Sequence, residues 1–408
     1  MKPLGPIPHG FGVSDGELAI DGHTVSELIA EAGDTPLFVY SAQMLRDRMA
    51  RLRAAMPEAL SIHYAVKANP YVPLLKVMAE LVDGFDIASG GELEIVSNAG
   101  IAPKQVSFAG PGKRDAELRA AIRSGVTINL ESEGEAARAI AIAADEAITP
   151  RLAIRVNPEF DLKGSGMKMG GGAKPFGVDA ERVPALVRAV VQSGAEWRGF
   201  HIFAGSQALD ADALIEAQAQ ALELAAMLTR ESGVWLPHCN LGGGFGIPYF
   251  SGDEPLDVER IGAALKARLA VLPPELADTA FCIELGRYLV GESGVYLTRI
   301  IDRKVSHGEV FLIADGGLHH QLAASGNFGT VVRRNYPVAI ASHFDSEASE
   351  EASVVGCLCT PLDKLADKAW LPRAEVGDVV AVFCAGAYGA TASPAQFLGQ
   401  GPAREMLV

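Results

Sequence analysis

Four features of this chain carry side chains that could do chemistry together. Lys67 closes the apolar run HYAVKANP. A lysine there can snorkel from a strand end. If buried, it becomes an amine of depressed pKa that attacks a carbonyl to form a Schiff base. The loop LGGGFG at 241–246 has three consecutive glycines. Such a run lets backbone N–H groups approach a phosphate, although a flexible loop has the same composition. It is not a GxGxxG following a first strand, which disfavours a dinucleotide site. Glu284 and Arg287 stand in IELGRYL. They could pair with each other. Alternatively, Glu284 could hold a protonated ring nitrogen and Arg287 a phosphate or carboxylate. His201, in GFHIFAGSQ, is either a satisfied core histidine or a ring that stacks on a planar cofactor.

These residues need elements to position them, and the sequence has a strand-then-helix rhythm. Short β-branched or aromatic runs occur at 61–66, 85–88, 105–109, 126–130, 151–156, 198–203, 238–241 and 280–285. Helical stretches rich in Ala, Leu, Glu and Arg lie between most of them, at 114–124, 133–144, 181–193 and 211–230. Alternating strands and helices imply a parallel sheet, and eight such units fit a (β/α)8 TIM barrel of the α/β class. Its active site belongs at the C-terminal strand ends. Those ends carry Lys67, Asp86, Gly110, Glu131, Arg155 with Asn157, His201, Gly242–Gly244, and Glu284 with Arg287.

The chain ends break the rhythm. Residues 10–24 read as short strands with turn residues, and from about 290 strands dominate, at 295–305, 309–314, 353–356 and 378–384. We expect residues 1–35 to form an N-terminal strand segment joining a mostly β C-terminal domain at 286–408, with the barrel at 36–285. The acidic stretch 343–353 reads as a solvated loop, and the Gly/Lys-rich stretch 161–177 as a mobile loop or a lid for an anionic substrate part.

Composition narrows the function classes. The chain has 408 residues, 49% hydrophobic and 21% charged, with a net charge of −15. That balance disfavours nucleic-acid and anionic-membrane partners. No uninterrupted apolar run reaches membrane-spanning length, and the N-terminus lacks a signal-peptide core, so a cytoplasmic protein is expected. The five cysteines are odd in number and lack a paired CxxC pattern, so neither a disulfide framework nor a structural metal is expected.

A Schiff-base lysine, a glycine loop for phosphate and an acid for a pyridinium nitrogen are together what pyridoxal 5′-phosphate (PLP) requires. The motifs extend this. YAVKAN (64–69), GFDIASGGEL (84–93), ESEGE (131–135), RVNP (155–158), HIFAGSQ (201–207), GGGFG (242–246), ELGR (284–287), ADGG (314–317), CTPLD (359–363) and GAYG (386–389) run in order along the chain. In these motifs the chain resembles the PLP-dependent decarboxylases of the diaminopimelate/ornithine decarboxylase group, with their alanine-racemase-like fold. HIFAGSQ, AKPFG and CTPLD look most like the decarboxylases associated with exosortase gene clusters.

The resemblance implies roles. Lys67 forms the internal Schiff base with PLP, and Asp86 tunes it. His201 stacks on the ring, Arg155 supports the ring side, and Glu284 pairs with the pyridine nitrogen. Ser206, Gly243, Gly244, Arg287 and Tyr388 hold the phosphate. Cys359, contributed across a homodimer with shared active sites, returns a proton to Cα after carbon dioxide leaves. Lys67, Cys359, His201 and Glu284 are thus the expected catalytic set.

Departures from the family pattern bear on the substrate. ELGR replaces the usual EPGR, and HIFAGSQ is longer than H-x-G-S, which affects the reach of Ser206. Relatives that act on free basic amino acids carry an acid directly after the cysteine. Here that position is Thr360, and the next carboxylate is Asp363. Thr360 and Asp363 are therefore the candidate substrate-reading residues. A neutral, acidic or carrier-protein-linked far end of the substrate is expected, because a buried ammonium without a charged partner is costly. Three rival functions are diaminopimelate decarboxylation, amino-acid racemisation and non-catalytic PLP binding. Glu284 and Cys359 argue against a racemase, and the C-terminal β domain argues against a single-barrel PLP carrier.

Overall fold

The structure is a computed structural model that describes residues 1–326 and 334–408. The chain divides into two units. One comprises Met49–Gly246 with Leu256–Gly286, the other Met1–Arg48, Ile247–Pro255 and Arg287–Val408.

The first unit is an eight-stranded parallel barrel. Its strands are β1 (Ser61–Ala65), β2 (Gly84–Ile87), β3 (Val106–Phe108), β4 (Thr127–Leu130), β5 (Arg151–Asn157), β6 (Glu196–Ile202), β7 (His238–Asn240) and β8 (Ala280–Leu285). Each pairs with its neighbour in sequence order, and β8 closes the ring against β1. All eight expected runs are barrel strands. Most of their apolar residues are buried, among them Ile62, Phe85, Ile128, Ile154 and Ile283, as strands enclosed on both faces require.

The crossover helices start and stop where local chemistry dictates. Ser132 caps Glu133–Glu146 by accepting from the Glu135 N–H, and Gly125 ends Asp115–Ser124 in the left-handed conformation that glycine adopts without strain. Asp210 caps the 22-residue helix Ala211–Ser232, whose inner face buries Leu214, Leu222, Ala225 and Leu228.

The second unit is mostly β. Gly294–Ser306 is its spine. It pairs antiparallel with Leu37–Tyr40, Val379–Val382 and Glu309–Ala314. Arg404–Leu407 pairs parallel with Leu37–Tyr40. The core gathers Leu18, Ile20, Leu28, Leu37, Val39, Val295, Leu297, Ala381 and Phe383.

The division differs from the expected boundary at 36. Residues 36–48 and 247–255, expected in the barrel, group with the β unit. Leu37–Tyr40 is a short, wholly buried apolar run, and its partners are strands more than 250 residues away. Part of the expected solvated loop is also strand: Glu350–Val355 pairs with Glu309–Ala314 and with Lys364–Leu371. No helix among the described residues is long and apolar enough to cross a membrane.

Candidate active site

The C-terminal ends of the barrel strands carry most of the expected residues. Lys67 lies in the 3-10 turn Val66–Ala68 that ends β1. Its Nζ is 5.6 Å from the centre of the Phe203 ring. The side chain is exposed, as for a lysine that snorkels from a strand end, and not buried. A turn directly after the strand lifts it out of the barrel wall.

Three neighbouring strands assemble a buried acid–imidazole pair. His201 on β6 is in register with Asn240, the last residue of β7, and Glu284 lies near the end of β8. His201 Nε2 is 2.9 Å from Glu284 Oε2, and Asn240 Nδ2 donates to the same oxygen at 3.2 Å. Burial pushes the Glu284 carboxyl up, but His201, together with the charges of Lys67 and Arg155, holds the acid below its ordinary range. His201 Nδ1 is buried and has no hydrogen-bond partner among the described residues. Glu284 is thus satisfied by His201 and Asn240, an arrangement different from the Arg287 pairing that the sequence left open.

Asp86 on β2 is buried, and neither of its oxygens makes a well-formed hydrogen bond among the described residues; His63 Nδ1 lies 3.3 Å from Oδ2. Arg155 on β5 has a defined partner. Its Nη1 donates to Glu131 Oε1 at 2.9 Å, and its guanidinium lies 5.0 Å from the Phe176 ring centre. Glu131 also accepts from the Gly177 N–H at 3.1 Å. The Arg155–Glu131 pair therefore ties two strand ends to the Gly/Lys-rich segment.

That segment is not featureless. Met167–Lys168 pairs antiparallel with Gly205–Ser206, which places Ser206 in a two-residue ladder, half-buried. Lys163 pairs with Glu216; the Lys168 side chain lies outside what the structure describes. Gly243 and Gly244 follow β7. A Cβ on Gly243 would stand 1.8 Å from the Glu284 carbonyl oxygen, so only glycine lets this loop cross the end of β8.

The β unit holds the remaining candidates. Arg287 opens the helix Arg287–Val290 and is half-buried between phenols: Nη1 donates to Tyr249 Oη at 2.7 Å, and the guanidinium lies 4.7 Å from the Tyr388 ring centre. Burial disfavours its charge, but Tyr249 and Tyr388 more than compensate and its pKa is raised. Cys359 is an exposed free thiol.

Thr360 sits in the turn after Cys359, where its Oγ1 accepts from the Leu362 N–H at 3.3 Å and its carbonyl from the Asp363 N–H at 3.2 Å. Asp363 is not where the expectation put it. It is 2% exposed, Oδ1 accepts from the Leu318 N–H at 2.6 Å, and Oδ2 accepts from the Leu358 N–H at 2.8 Å. A carboxylate so engaged staples two loops together and is not presented to a ligand.

Phe203, Asn240 and Tyr249 were not singled out in the sequence. Asn240, two residues before the glycine run, is the one whose position offered a signal.

The residues present fit PLP: an exposed lysine at a barrel strand end, a buried carboxylate whose pKa is lowered, and a buried His201 Nδ1 with no hydrogen-bond partner among the described residues. Comparison with known proteins agrees. Residues 42–291 match the family model for the pyridoxal-dependent decarboxylase pyridoxal-binding domain. The L-glutamyl-[BtrI acyl-carrier protein] decarboxylase of Niallia circulans is 35% identical, over 92% of this chain and 89% of that protein. The diaminopimelate decarboxylase of Aquifex aeolicus is 34% identical, over 92% and 87%. The solved structure of Helicobacter pylori diaminopimelate decarboxylase complexed with L-lysine superposes with a TM-score of 0.82 at 27% identity, covering 94% of each chain.

Proposed function

The chain belongs to the pyridoxal-dependent decarboxylases, and from that premise we propose that it removes the α-carboxylate of an amino acid whose far end is not a free ammonium, with a carrier-protein-linked amino acid as the favoured substrate. PLP, when bound, supplies the sink for the electron pair left by the departing carbon dioxide. The chain's own residues do the rest. Lys67 would hold the cofactor, and Glu284 would set its anion against the ring nitrogen. His201 would lie against the ring, and Asp86 and Arg155 would order its surroundings. Ser206, Gly243, Gly244, Arg287 and Tyr388 receive the phosphate. Cys359 delivers the proton to Cα across a homodimer interface.

The observation that carries the substrate reading is the pair Thr360 and Asp363. Thr360 has no charge to offer a distal ammonium, and both Asp363 oxygens are taken by backbone N–H groups. Losing a charge-assisted hydrogen bond to a buried cation costs roughly 2–5 kcal/mol, ~30- to 5,000-fold in discrimination. The similarity to a decarboxylase named for a carrier-bound glutamyl substrate supports the same reading. The finer resemblance to exosortase-associated decarboxylases rests on the HIFAGSQ, AKPFG and CTPLD motifs alone.

The test is carbon dioxide release measured side by side as kcat/KM for lysine, ornithine, meso-diaminopimelate and a glutamyl-carrier protein. The carrier-linked substrate is expected to win by at least the lower end of that range. Efficient turnover of meso-diaminopimelate would make this a diaminopimelate decarboxylase with a rearranged specificity loop.

A further inference from the structure

The N-terminal end of the barrel, away from Lys67, holds a second constellation. A cavity of about 180 Å³ opens there, lined among others by His63, Ser107, Asn129, Arg198, His238 and Asn240. His63 lies on β1, His238 begins β7, and Cys282 lies on β8 between those two strands. One donor atom from each of His63, His238 and Cys282 lies within 4.8 Å of the other two. Cys282 is fully buried, and the two imidazoles are half-buried with their planes 23° apart and their centres 6.1 Å apart.

The surroundings suit a bound cation. Gly84 on β2 is in register with His63, and a Cβ there would stand 2.7 Å from His63 Nε2. The glycine therefore makes room for the imidazole. Asp86 Oδ2, 3.3 Å from His63 Nδ1, is placed to orient that ring, as carboxylates behind metal-binding histidines do. Two cationic side chains, Lys104 and Arg198, also line the cavity, and Arg198 is paired with Glu196 at 3.0 Å.

We propose that His63, His238 and Cys282 form a binding site for one zinc-class divalent cation, with water from the cavity completing the coordination. Two imidazoles and a thiolate are a borderline-soft donor set that zinc takes with one position open. Zinc–ligand distances of ~2.0–2.3 Å put tetrahedral donors roughly 3.5 Å apart, so the most separated pair must close by about 1.3 Å at most. On binding, the thiol S–H bond is replaced by an S–metal bond, and the proton leaves to solvent. No electron is transferred. The ion would pin β7, β8 and β1 from inside. Nothing in the sequence marks this site, because its ligands lie on three strands and share no short motif.

The experiment uses the PLP-loaded enzyme, stripped with a chelator and dialysed against Zn²⁺ or Co²⁺. Wild type is expected to retain one more zinc per chain than Cys282→Ala or His238→Ala. Its melting temperature should rise with zinc, and Co²⁺ should give a thiolate-to-metal charge-transfer band. Equal zinc retention by wild type and variants overturns the proposal, because the metal is then held elsewhere. If the variants do not fold, the wild-type Co²⁺ spectrum decides: absence of the thiolate band removes the site.

Discussion

His201 Nε2 meets Glu284 Oε2 at 2.9 Å in the buried end of the barrel, on strands separated by one other. With the charges of Lys67 and Arg155, the contact lowers the carboxyl from an ordinary 4.5 to about 2, against the upward push of burial. A carboxyl depressed on folding adds stability above pH 4.5, and that stability is lost as pH falls through about 2. Glu284→Gln is expected to retain the cofactor, to lose ~10²-fold or more in kcat, and to flatten the pH dependence of stability in that acid window. Wild-type kcat in this variant would show that the ring nitrogen is not held there.

Lys67→Ala is expected to abolish covalent PLP attachment and turnover. Mass spectrometry after borohydride reduction should place the adduct of the wild type on Lys67. An adduct on a different lysine sinks the assignment.

Cys359 is an exposed thiol in the single chain, as a residue that acts in a neighbouring subunit would be. Mixing inactive Lys67→Ala with inactive Cys359→Ala should restore part of the activity, since one of the two hybrid sites is then complete. No recovery in a mixture shown to exchange subunits would favour sites built within one chain.

Asp363→Asn replaces one of two accepting oxygens with a donor facing a backbone N–H. The expected loss is about 1–3 kcal/mol of stability, read by denaturant unfolding, with the ratio of kcat/KM between substrates unchanged. A change in that ratio without loss of stability would return Asp363 to substrate recognition.

Lys113 is 4% exposed, and its Nζ reaches Glu135 at 2.6 Å, the Gly110 carbonyl at 2.7 Å and the Asn129 carbonyl at 3.0 Å. Lys113→Met strands Glu135 without its cation, which costs ~3–5 kcal/mol. The double variant Lys113→Met, Glu135→Leu should recover much of that loss. If the single variant melts like wild type, the pair contributes nothing.

The eight barrel strands were legible in sequence because their signals are local. A buried parallel strand is a short apolar run, its crossover helix has a 3.6-residue period, and the strand ends then pick out Lys67, Asp86, His201 and Glu284. The second unit was legible only in part. Leu37–Tyr40 and Arg404–Leu407 each read as a few apolar or mixed residues, and their strand character comes from pairing across the length of the chain.

What the tertiary structure alone decided is which partner each side chain has. Parallel pairing of neighbouring strands puts β6, β7 and β8 side by side, and so gives Glu284 to His201 and Asn240 and not to Arg287, whose own partners are Tyr249 and Tyr388. Folding of the 356–363 turn turns Asp363 inward to two backbone N–H groups. Residue type and spacing fix what a group can do. The donors and acceptors that reach it come from distant segments, and only the packed chain brings them within hydrogen-bonding range.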